Sequence, residues 1–506
     1  MVSSIHWRFL PLVFFTAYML VSCDWQYNAM SNSVPIEGKD SVEKRTIRVY
    51  LGIDGASHST IQKAMDRGAF SATQWRLSKM ISPFPSTSDL GWSRIMRTSK
   101  VPSYEFQYYN AEKDRMYNTG QIGVLKHADP FYVSPAQKVF NYLGNGHSEK
   151  YWVYQQRPMS FATKLDGVFI KLQGVSQTSD SFAGFFNEID TSAHMGSEED
   201  IIGMLIQLSE RIASYKASHQ DKNFIFTLFS DHGNDFVNVP VDNMVEYDKE
   251  LEKLNIINVS SLGKYNPEDA HYAIPIVHTR VTYVAFYTHR ENEEAIARKL
   301  STLESADVVI SHSVKPDDFV NDTTYSWYSI WKDNERILHF GFDRDKDQYV
   351  LGFNDNYQLL DLNISFDTSE AYQTFSDDEL FAMTKHSEYP DVFFRTRTAL
   401  ADVGIEHPAN VILSCKPSYA SIGFKIPGGA NEIASSSFHG SINAGGSNGI
   451  LLSEEKDLPD AVRLDTFLDV FPKMKTFITE NRRLKMIAGD QDAGLDYTIG
   501  TTPSTQ

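Results

Sequence analysis

Cysteine is almost missing from this chain: its 506 residues hold two, Cys23 and Cys415. A disulfide framework is thereby excluded as the source of stability. Positive charge is also short, with 47 Lys and Arg against 65 Asp and Glu and a net charge of −18. That balance argues against a nucleic-acid polymer as partner, because neutralising a polyanion needs clustered basic residues. A small phosphoester held beside cations escapes the objection. Long hydrophobic runs are scarce, and the one at the start, 9–21, is too short to span a bilayer. No internal repeat and no long low-complexity tract occurs, so a solenoid or an array is excluded.

What is present suits a large globular protein. With 42% hydrophobic and 22% charged residues, the chain can bury a sizeable core as one domain with an insertion, or as two domains. The apolar run at 9–21 follows Arg8 and reads as the central part of a signal peptide. It ends in Leu20-Val21-Ser22-Cys23, which resembles a bacterial lipobox. The reading is a lipoprotein signal over 1–22, a lipidated Cys23 anchoring the protein to a membrane, and a polar tether over 23–45. An ordinary signal peptide cleaved nearby is the alternative. Either places the protein outside the cytoplasm, on the periplasmic face if the lipobox is used, and Asp24 resembles the signal that keeps some lipoproteins in the inner membrane. Cys415, after an apolar run at 411–413, reads as an inert buried thiol.

Six residues that favour metals then stand out. In RVYLGIDGAS, Val49, Tyr50, Leu51 and Ile53 read as a buried strand that delivers Asp54 into a turn. In FIFTLFSDHG a second strand delivers Asp231 and His232. FFNEIDTSAHMG spaces Asp190 and His194 four apart, on one face of a helical turn. His439 lies in SSSFHGSINAGG, a loop dense in Ser and Gly. Alone, each fragment is ordinary turn or loop composition; in this order they carry more. A hydroxyl-rich turn, SPFPSTSDLGWSRIMRT, falls between the first and second of these segments, and Ser86, Thr87 and Ser88 in it would cap a helix whatever their chemistry. Trp92 and Met96, four apart, read as the core face of that helix.

A chain ordered as strand-Asp, hydroxyl turn, DxxxH, strand-DHG and late HG resembles the alkaline phosphatase superfamily, and within it the type I phosphodiesterase and nucleotide pyrophosphatase branch. YPDVFFRTRTAL from 389, then ANVILS, FHGS and GILLS, is similar to the closing segment of that family, and the likeness spans roughly 46–475. It implies one divalent ion held by Asp54, Asp231 and His232 with the Ser88 hydroxyl, and a second held by Asp190, His194 and His439. Ser88 is the implied nucleophile, with Thr87 the alternative, and Asp89 departs from the apolar residue usual beside it. Mixed Asp and His ligands suit Zn²⁺, with Mn²⁺ second. The implied reaction is hydrolysis of a small phosphoester, of the diester or pyrophosphate type, through a phosphoseryl intermediate. Alternatives are a phosphomonoesterase, a transferase of phosphate or phosphoethanolamine, and a non-catalytic surface lipoprotein on the same fold. A sulfatase is disfavoured because the CxPxR motif is absent. No protein partner is evident. By interval alone, Arg97, Lys126 and Asn145 are candidate phosphate contacts, and His58 is the remaining histidine nearest to a ligand segment.

The expected fold is α/β, a mostly parallel sheet sandwiched by helices, alkaline phosphatase-like, with an inserted α+β subdomain. The catalytic core is assigned to 46–260 and 400–480, the insertion to 261–399 and a loosely packed tail to 481–506. A helix is expected over 197–219, another over 292–303 leading into a strand at 306–310, and a hairpin over 336–353.

Overall fold

The computed structural model describes residues 44–487 except 73, 98–99, 106, 120–127, 130–138, 143–156, 238, 279–280, 320–324, 368–369, 402, 423–436 and 456–457. The signal segment, Cys23, most of the tether and the end of the tail lie outside the described residues.

The body from Arg45 onward is organised by two sheets. The first has six strands: β1 (Thr46–Ile53), β2 (Arg76–Ile81), β3 (Ser181–Phe186), β4 (Asn223–Phe229), β5 (Asn448–Ser453) and β6 (Ala461–Arg463), in the order β6-β2-β5-β4-β1-β3. All run parallel except β5, which is antiparallel to both β4 and β2. A parallel sheet has to be covered on both faces, and side chains on β1 alternate accordingly. Ile47, Val49, Leu51 and Ile53 enter one core with α1 (His58–Asp66), α3 (Arg157–Val175), α4 (Glu188–Met195) and α5 (Glu198–Ser218). Tyr50 faces the other core, where Trp92, Ile95 and Met96 of α2 (Ser88–Met96) pack with Phe185 and Phe229. Trp92 meets Phe140, Phe185 and Phe229 edge-on at 5.8, 5.1 and 5.8 Å.

The helix expected over 197–219 is α5, started by Ser197 with a capping box to Asp200. The second sheet has nine strands drawn from 257–415, and it is antiparallel throughout except at the 257–258 edge. It contains the expected hairpin, as strands Glu335–Asp343 and Gln348–Gly352, and the expected strand, as Ala306–Ser313. The helix before that strand is α6 (Glu293–Leu300), shorter than the expected 292–303 because Asn292 closes a 3₁₀ turn, Arg290–Asn292, and 301–303 are turns after its end. Strand Val411–Cys415 lies inside this sheet, between Ala306–Ser313 and Tyr283–Thr288, and α7 (Val392–Leu400) precedes it. Cys415 is fully buried, and burial pushes its thiol up to about 12, the behaviour of an inert side chain.

Candidate metal centre

The carboxyl ends of β1, β2, β3 and β4 lie along one edge of the first sheet, where a parallel sheet presents ligands. β5, being antiparallel, brings its amino end to the same edge, with Asn448 opposite Ile81. The loop carrying His439 precedes β5 and is held there by Thr282 N–H donating to His439 O at 2.9 Å.

Each ligand segment is fixed by its neighbours. Asp54 N donates to Phe186 O at 2.8 Å, which ties the end of β1 to the end of β3. Gly55 follows with φ +65°, and a Cβ on it would stand 2.5 Å from Asp190 Oδ1, so both the left-handed backbone and the close approach require glycine. Its N–H donates to Asp231 Oδ1 at 3.1 Å. Gly91 of α2 is similarly constrained, since a Cβ would lie 2.8 Å from the Asp231 Cβ.

The structure gathers the six residues into two groups, Asp54 with Asp231 and His232, and Asp190 with His194 and His439; within each, one ligand atom per residue lies within 4.8 Å of the others. The two groups adjoin: the His232 and His439 rings stack at 4.1 Å and those of His194 and His439 are 5.2 Å apart. All three imidazoles are oriented the same way. His194 Nδ1 meets Ser437 O at 3.1 Å, His232 Nδ1 meets Gly233 O at 2.9 Å and His439 Nδ1 meets Ser86 O at 2.8 Å. A carbonyl only accepts, so each Nδ1 bears the hydrogen, and a neutral ring keeps its lone pair on Nε2. That atom of His194 is 3.5 Å from Asp190 Oδ2, and that of His232 is 3.4 Å from Asp231 Oδ2 and 3.6 Å from Asp54 Oδ1.

Charge in the site is unbalanced. Burial, followed by the carboxylates of Asp231 and Asp190, raises the Asp54 carboxyl well above its usual range; burial does the same to Asp231. At Asp190 burial also acts upward, but His194, His439, His232 and the Asn234 amide together hold it below the usual carboxylate range. His439 is lowered to about 3 by burial and then by His232. Asp231 Oδ2 is buried without a hydrogen-bond partner. Crowded carboxylates, an orphaned oxygen and imidazole lone pairs directed inward are the donor set that a divalent cation satisfies.

The three hydroxyls of the turn before α2 point in different directions. Ser86 Oγ donates to Ser441 O at 3.0 Å and Thr87 Oγ1 to Tyr104 O at 2.5 Å. Thr87 is the N-cap by backbone only, and its side chain makes no capping bond. Ser88 Oγ lies 3.1 Å from Asp54 Oδ1 and 3.2 Å from His232 Nε2, inside the first ligand group and at the first residue of α2. There the free N–H groups of the helix and its dipole favour an anion. Asp89 occupies the first turn of α2, a position where a carboxylate suits the helix dipole.

Two supporting residues were not singled out from the sequence. Asn234 donates through Nδ2 to Gly55 O at 2.8 Å and Asp190 Oδ1 at 2.9 Å, and its Oδ1 accepts from Ser437 Oγ at 3.2 Å. Its place directly after Asp-His-Gly was the one available signal. Arg395 of α7, buried, donates to Ile442 O at 2.6 Å, Ser447 Oγ at 2.5 Å and Pro390 O at 3.1 Å, and reaches Ser86 Oγ at 3.4 Å. It joins the hydroxyl turn to the loop of His439; nothing in local sequence distinguishes it from Arg397. Arg97 sits at the opposite end of α2 from Ser88, bonded to Asp465 O at 2.8 Å and paired with Asp469. His58 opens α1 outside both groups, and burial, followed by Lys79, lowers it to about 4. Lys126 and Asn145 lie outside the described residues.

No protein-family model and no curated protein matches this sequence. Among solved structures, the chain is similar to phosphonoacetate hydrolase from Sinorhizobium meliloti 1021 in complex with phosphonoformate, at 12% identity and TM-score 0.43 over 88% of this chain and 100% of that one. It is also similar to murine ectonucleotide pyrophosphatase / phosphodiesterase 5, at 8% identity and TM-score 0.42 over 85% of this chain and 95% of that one. The human protein of that name gives 8% identity and TM-score 0.43 over 85% of this chain and 95% of that one.

Proposed function

We propose that this chain is a metal-dependent phosphoester hydrolase of the phosphodiesterase or nucleotide pyrophosphatase type, with Ser88 as nucleophile. The observation that carries the reading is the place of one hydroxyl: Ser88 Oγ stands 3.1 Å from Asp54 Oδ1 within a group of two carboxylates and an imidazole, at the start of a helix. Asp54, Asp231 and His232 would hold one divalent ion, and Asp190, His194 and His439 a second, Zn²⁺ by donor type with Mn²⁺ next. Such ions, when bound, neutralise phosphoryl oxygens and lower the pKa of a coordinated hydroxyl or water.

The residues then divide the work. Ser88 Oγ, losing its proton, forms a bond to phosphorus as the ester oxygen leaves as an alcohol, and the N–H groups opening α2 take up charge on the phosphoryl oxygens. Water cleaves the phosphoserine and returns the Ser88 hydroxyl. Thr87, whose hydroxyl is committed to Tyr104 O, is not the nucleophile in this reading. Residues 1–22 are proposed as a lipoprotein signal and Cys23 as the membrane anchor, outside the cytoplasm; replacing Cys23 by Ser is expected to release the protein from the membrane fraction.

The test is turnover of bis-p-nitrophenyl phosphate, p-nitrophenyl phosphate and a dinucleoside pyrophosphate, with and without Zn²⁺. Ser88→Ala is expected to lower kcat by about three orders of magnitude or more while bound metal is unchanged. Metal bound with no turnover of any ester by the unaltered protein would refute the reading, and release of product onto an added alcohol in place of water would make the protein a transferase.

A further inference from the structure

The second sheet carries a cavity of about 400 Å³ that none of the six metal-favouring residues lines. Its described walls come from stretches remote in sequence: Arg290 ahead of α6, His312 and Lys315 around the end of strand Ala306–Ser313, Trp327 and Tyr328 of strand Tyr325–Lys332, and Arg344 in the hairpin turn. Arg290, Lys315 and Arg344 therefore border one space, and no carboxylate is among its described lining residues; Lys315 also borders a neighbouring cavity with Asp317, Asp318 and Asp355. In a chain of net charge −18 this is a reversal of the average surface.

The cations are not there to neutralise one another's neighbours. Neither Lys315 nor Arg344 forms an ion pair or hydrogen bond among the described residues. The carboxylate nearest Arg290 is Glu293, at 3.9 Å, and it already accepts from Asn410 Nδ2 at 2.8 Å and lies 3.1 Å from His312 Nδ1. Trp327 borders the cavity as well, its ring packed against Phe319, His339 and Tyr372. Beneath it, burial raises the Tyr328 phenol, while Arg397, Arg344 and Arg290 all act on it in the opposite sense.

We propose that this cavity is a second ligand site, for a small phosphorylated molecule. A phosphate dianion offers several strong acceptors to donors arriving from different walls, as the Arg290 and Arg344 forks and the Lys315 ammonium require. The volume falls in the range of small-molecule pockets and exceeds a bare ion, and the aromatic wall of Tyr325 and Trp327, with ring centroids 6.0 Å apart, leaves an organic part a surface to rest on.

The test uses the full chain dialysed against EDTA, titrated calorimetrically with adenosine monophosphate and, separately, glucose 6-phosphate. One-to-one binding of either ester is expected, weakening with added NaCl and accompanied by a change in tryptophan fluorescence that Trp327→Phe removes. The double variant Lys315→Gln/Arg344→Gln is expected to bind about tenfold more weakly or worse at an unchanged melting temperature, whereas Asp190→Asn binds as the unaltered protein does. Binding of only the nucleotide would assign a base-bearing ligand, and of only the sugar phosphate a glycan-like one. Binding of neither ester overturns the proposal. So does full affinity in the double variant, or loss of binding in Asp190→Asn, which would move the ligand to the metal centre.

Discussion

At the scale of single residues, the arrangement of the candidate centre depends on side chains outside its two groups of Asp and His. Asn234 bridges Gly55 O and Asp190 Oδ1, and its Oδ1 accepts from the hydroxyl of Ser437, the residue whose carbonyl orients His194. Asn234→Ala removes the hydrogen bonds while leaving every ligand in place. Affinity of the second group for Zn²⁺ is expected to fall about 10- to 100-fold, the usual cost of losing an orienting partner, as read by competition with a chromophoric chelator. An unchanged affinity would show that Asp190 is held by other means. The two groups of Asp and His were legible because those residue types, in strand-ending turns and at helical spacing, are chemically marked. Asn234 was not, because an amide beside a turn looks the same whether it orients a carboxylate or faces water.

At the scale of elements, α2 and α7 decide how the pieces meet. α2 can approach β4 closely only because position 91 lacks a side chain, and Gly91→Ala would press a methyl onto Asp231, 2.8 Å away. Overpacking of that kind costs about 1–3 kcal/mol; the expected outcome is a lower melting temperature together with weaker binding at the first group. α7 contributes Arg395, whose guanidinium links the hydroxyl turn at Ser86 with Ile442 and Ser447. Burial lowers this guanidinium to about 9 while the Asp391 carboxylate acts the other way, and the groups it donates to are neutral. Arg395→Met, similar in length, leaves those buried acceptors without a donor, and unfolding free energy is expected to drop by about 3 kcal/mol or more in chemical denaturation. The 3.6- and 2-residue periodicities were sufficient to find α5, the hairpin and the buried strands. They overextended α6 at its end, where 301–303 form turns after the helix stops at Leu300, because hydrophobic spacing does not register where a helix is capped.

At the scale of the whole molecule, burying Asp54, Asp231 and His232 together withdraws from water charge that hydrogen bonds within the site do not balance. Removing metal with a chelator is expected to lower the melting temperature, and restoring Zn²⁺ at about a thousand times its dissociation constant to return about 4 kcal/mol, measured by calorimetry at fixed pH. A chain whose melting temperature ignores both treatments would have no structural use for the ions. The sequence by itself determined the strand-turn placements of Asp54, Asp231 and His232, the helical spacing of Asp190 and His194, and the α/β character, since each follows from backbone period within a dozen residues. It favoured Ser88 over Thr87 and Ser86 only through resemblance, because which hydroxyl of a turn faces inward depends on the elements packed around it. Nor could it bring His439 to its partners. That required β5 to run against its neighbours, so that a loop more than two hundred residues downstream of Asp231 starts from the same edge of the sheet. Contacts between segments so distant are set by how strands pair and helices cover them, and only the tertiary structure contains that information.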